Sequence, residues 1–147
     1  MASMVTQALK HPKAFAVGAC GIDITGVAPH DLDRVLTLQI ASFRAQLKIA
    51  AHEGLPVGVI LKSATPQIED AFCQVLGEDA AKDQPLILLN FQASPTVPLR
   101  LKELGFTQVI VGISPNITFS KLQRALGETV FDCPLSNLWV SSDSPFT

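Results

Sequence analysis

Apolar residues run through this chain in two alternating rhythms. The stretch Ala14-Phe-Ala-Val-Gly-Ala-Cys20 is almost unbroken hydrocarbon and reads as a strand, preceded by a short helical lead-in from Val5 to Lys10. After a loop from Gly26 to His30, Leu32, Leu36, Ile40, Phe43, Leu47 and Ala50 recur at spacings of four and three. That period places them on one face of a long helix, with Asp31 as its N-cap and Gly54 and Pro56 as its stop. Pro56 to Leu61 is a second strand, followed by a helix from Gln67 to Leu76 and a polar loop from Gly77 to Gln84. Pro85 to Phe91 is apolar without alternation and predicts a third strand covered on both faces. A helix over Leu99–Leu104 stops at Gly105, Val109–Ile113 is a fourth strand, Phe119–Leu126 another helix, and Leu138–Val140 begins a fifth strand.

Strand and helix in turn, with short connections, predict an α/β protein with a parallel sheet and right-handed crossovers. The spacing does not separate an open doubly wound sheet from part of a barrel. At 147 residues the chain is one domain of ordinary size. Its 48% hydrophobic and 16% charged residues, with a mean hydropathy of +0.33, suit strands buried on both faces or an apolar face that awaits a partner. A net charge of -2 supplies no general electrostatic reason to bind nucleic acid.

Cys20, Cys73 and Cys133 lie far apart in no zinc-binding pattern, and an odd count fits a reducing compartment better than a disulfide framework. No apolar run approaches the ~20 residues of a membrane helix. The N-terminus lacks a secretory signal pattern. It also lacks acidic residues before Asp23, a hint of organelle import that the absence of arginine there opposes. The expectation is an intracellular, cytoplasmic protein, with import left open.

Familiar catalytic patterns do not account for the polar residues. His11, His30 and His52 show no HxH or HExxH spacing. The glycines form no phosphate loop, and no serine sits in a G-x-S-x-G elbow.

A family resemblance emerges from five segments taken together. Phe43-Arg-Ala-Gln-Leu47, with Ala50 and Gly54-Leu-Pro-Val57, resembles the helix-to-strand segment of TatD-family metal-dependent deoxyribonucleases. His11-Pro-Lys13 ahead of Gly18-Ala-Cys-Gly-Ile-Asp23 resembles the family's HPK…GEIGLD stretch. Leu104-Gly-Phe106 is similar to its LGF turn, and Ser142-Asp-Ser-Pro-Phe146 to its TDSPY end. The five fall in the family's order over most of the chain. The resemblance implies a TIM-type (β/α) barrel of the amidohydrolase kind, with two divalent metal ions at the C-terminal strand ends. On that reading residues 1–147 form a single TatD-like domain with about five parallel strands and flanking helices, lacking the first two and the last barrel strands.

Carried over residue by residue, the implied site has lost its ligands. The glutamate of GEIGLD falls on Ala19, the histidine of the HSR motif on Ile60 and that of HCF on Leu89. The HxH pair has no counterpart, and the glutamate of ETDSP has become Ser141. Only the late aspartate remains, as Asp143, a vestigial catalytic base or simply a carboxylate that caps the Ser144-Pro145 turn. Lys62 stands near the place of a phosphate-binding arginine, though an exposed loop lysine is the plainer account. The expectation is therefore a pseudoenzyme with no metal and no cofactor. Five strands cannot close a barrel. An open remnant leaves an apolar face for a protein partner or a second copy. The competing readings are weak divalent-metal hydrolysis of DNA or another phosphoester, and a truncated gene product without its own function.

Overall fold

A computed structural model of the chain describes residues 2–62, 65–118 and 123–142. Helix α1 (Ala2–Ala8) leads into strand β1 (Val17–Asp23), and a short 3-10 turn (Pro29–Asp31) into the long α2 (Leu32–Glu53). Then come β2 (Val57–Lys62), α3 (Pro66–Asp79), β3 (Leu86–Leu88), α4 (Thr96–Glu103), β4 (Val109–Ile113), α5 (Gln123–Asp132) and β5 (Leu138–Val140). The five strands form one parallel sheet in the order β1-β2-β3-β4-β5. A doubly wound sheet reverses its strand order at a switch point. This one advances steadily, as a barrel wall does, and the choice left open by spacing is decided for the barrel.

Right-handed crossovers between successive parallel strands bring the connecting helices to one face of the sheet. Neighbouring helices duly pack on each other, α2 on α3 and α3 on α4. Phe43 of α2 and Phe72 of α3 stack with ring centres 5.5 Å apart. Beneath them Val57, Val59, Leu61, Leu86, Leu88, Val109 and Val111 close the core from the sheet. The predicted α2 stripe divides by depth: Phe43, Leu47 and Ala50 are fully buried, while Leu32, Leu36 and Ile40 are partly covered. Across this helical layer Arg44 pairs with Glu78 at 2.7 Å and with the nearly buried Asp79. Arg100 of α4 pairs with Asp70 of α3 at 2.6 Å.

Several element limits are corrected. The first strand starts at Val17, three residues after the predicted Ala14, and runs on to Asp23. The third shrinks from the predicted Pro85–Phe91 to Leu86–Leu88, because Asn90 takes a left-handed φ of 45° that ends extended backbone. Helix α4 begins at Thr96, since Pro98 falls in its first turn, where the missing N–H costs no helical bond. The predicted Phe119–Leu126 helix is helical over 123–126 and runs on to Asp132, with residues 119–122 outside the described set. Asp31 does occupy the N-cap of α2, but its side chain caps nothing there. The carboxylate instead accepts from Arg34 at 2.9 Å.

Candidate functional site

In a parallel barrel wall the chemistry sits where the strands end. Here those ends carry Asp23 as the last residue of β1, Lys62 as that of β2, Leu89 and Asn90 after β3, Ser114 after β4 and Ser141 after β5. Register decides which side chains share the face away from the helices. Gly21 pairs with Ile60 and Asp23 with Lys62, while the alternate Cys20 and Ile22 pair with the buried Val59 and Leu61. Ile60 and Lys62 are thus on the face left without helices, both only partly covered.

Two of the three lost-ligand positions share one pocket, and the third adjoins it on the next strand. Ala19 and Ile60 line one shallow pocket with Gly21, Asp23 and Gln39. Ala19 is exposed, in the part of β1 where the register slips between Val17 and Cys20. Leu89 is outside that pocket but stands beside Ile60 across the seam between β2 and the end of β3. Its backbone N–H donates to the Val59 carbonyl at 2.8 Å, and its side chain reaches back over Gly58. A Cβ on Gly58 would sit 2.9 Å from Leu89 Cδ1, so the leucine fills the space that the glycine leaves. Gly58 was missed in the sequence; an isolated glycine inside a strand is the signal for such a close approach.

The polar groups at the strand ends are spent on one another. Asn90 is buried, and its Oδ1 accepts from Ser114 Oγ at 2.5 Å and from Gln92 Nε2 at 3.1 Å. Glu69, buried at the start of α3, accepts from the Ser94 N–H at 2.8 Å and so ties the loop after β3 to that helix. Asp23 Oδ1 accepts from the Thr25 N–H at 2.9 Å. The Lys62 ammonium makes no ion pair or hydrogen bond among the described residues. Cys20 donates to the Gly58 carbonyl at 3.7 Å, and burial pushes its thiol up to about 12, so it stays protonated and is no nucleophile.

Divalent cations need converging oxygen, nitrogen or thiolate donors. Ala19, Ile60 and Leu89 offer none, and no group of three or more His, Cys, Asp or Glu converges among the described residues. The donor set on these strand ends does not fit the family's metal pair. Asp143, read above as the late aspartate, lies outside the described residues, as does the rest of the Ser-Pro-Phe end. His11, His30 and His52 are exposed and belong to three separate loops or helix ends. No helix among the described residues is long and apolar enough to cross a membrane.

Two solved structures share this fold. An uncharacterized amidohydrolase from Saccharomyces cerevisiae matches at 19% identity with a TM-score of 0.71, over 98% of this chain and 45% of its own. The TatD homolog YJJV from Escherichia coli K12 matches at 22% identity with a TM-score of 0.75, over 98% of this chain and 51% of its own. The chain therefore spans about half the length of either protein. No curated protein matches it by sequence. The family model described as TatD related DNase matches residues 1–147. With that match over its whole length, on the barrel wall just described, the chain belongs to the TatD related DNase family.

Proposed function

We propose that this chain is a catalytically inactive member of its family, a TatD-like pseudoenzyme with a structural or protein-interaction role as a subunit of a larger assembly. The observation that carries the reading is the donor set at the strand ends. Alanine, isoleucine and leucine stand where the family resemblance places a glutamate and two histidines. Hydrocarbon there strips a cation of water without replacing it, and that desolvation has no offsetting bond. Leu89 seated over Gly58 supports the same view, since a refilled pocket leaves no room for a hydrated ion. Lys62, at the same end of the sheet, adds a positive charge that opposes a second cation. A lone Asp143 cannot replace a shared ligand set.

The rival is a weak metal-dependent deoxyribonuclease or phosphoester hydrolase that borrows donors from Asp23, Asp143 or another chain. Magnesium, manganese and zinc titrated into the purified chain by calorimetry, with cleavage of double- and single-stranded DNA followed in parallel, separates the two. The inactive reading expects no saturable metal uptake and no cleavage above the metal-only control. Metal-dependent cleavage that vanishes in Asp143→Ala overturns it.

A further inference from the structure

We draw no further inference here: the strongest candidate, the cleft at the C-terminal end of α2 lined by Gly54, Asp83 and the buried Gln84, carries nothing, since the unpartnered Gln84 Oε1 is sealed from anything that enters the cleft and the exposed Asp83 carboxylate beside a helix end does not hold a ligand alone.

Discussion

Gly58 and Leu89 share one volume across the seam between β2 and the end of β3. Gly58→Ala is expected to cost no more than about 1 kcal/mol, the low end for overpacking, because the methyl at 2.9 Å meets only the far end of the half-buried Leu89, which can swing aside. In the double variant with Leu89→Ala the two losses should fall well short of adding, which denaturant unfolding of all four chains measures. Strictly additive losses sink the idea of shared space. Cys20 makes a second residue-level prediction. Its thiol is raised from 9.0 to about 12 by burial, so the unfolded chain releases that proton first as pH rises. Stability is then fully present below pH 9.0 and is lost progressively towards about pH 12, at up to about 1.4 kcal/mol per pH unit. Thermal melts over that interval should fall more steeply for wild type than for Cys20→Ala. Parallel curves count against the assignment.

At the scale of elements, the helices are held by stacking more than by charge. Phe43→Ala removes a ring that is fully buried against Phe72, and about 3–5 kcal/mol is expected from loss of a core aromatic. Arg44→Ala, one residue along, breaks the pairs to Glu78 and Asp79. With the guanidinium a third exposed, screening limits the loss to about 1 kcal/mol, shrinking in high salt. Urea titrations with and without added salt rank the two; an Arg44 effect that equals the Phe43 effect contradicts this ordering. Both residues sit side by side on α2, and the helical period alone separates them. Phe43 belongs to the stripe of fours and threes, whereas Arg44 does not.

At the largest scale the described residues form a barrel wall with its helices packed along one face. Trp139, the chain's single tryptophan, stands on β5 half exposed, opposite Gly112 in register. Much of this architecture was legible beforehand: five strands and the long helix were found, β4 had correct limits, and β5 starts where expected. The shortened β3 was not, since a left-handed Asn90 inside an apolar run leaves no mark in hydrophobic periodicity. The site was legible only as a list. Ala19 and Ile60 line one pocket and Leu89 stands beside Ile60 on the next strand, and nothing in their spacing announces that arrangement.

By itself the sequence determined what short-range rules can carry: the alternation of strand and helix, the buried stripe of α2, its glycine stop, and the absence of donor atoms at Ala19, Ile60 and Leu89. These depend on neighbours a few residues away or on the chemistry of one side chain. Only the tertiary structure decided the steady strand order, the pair of hydrogen bonds by which Gln39 holds the Asp23 backbone and the seat of Leu89 over Gly58. Each of those is a contact between segments far apart along the chain. It is fixed by register and crossover geometry, which hydrophobic periodicity does not encode.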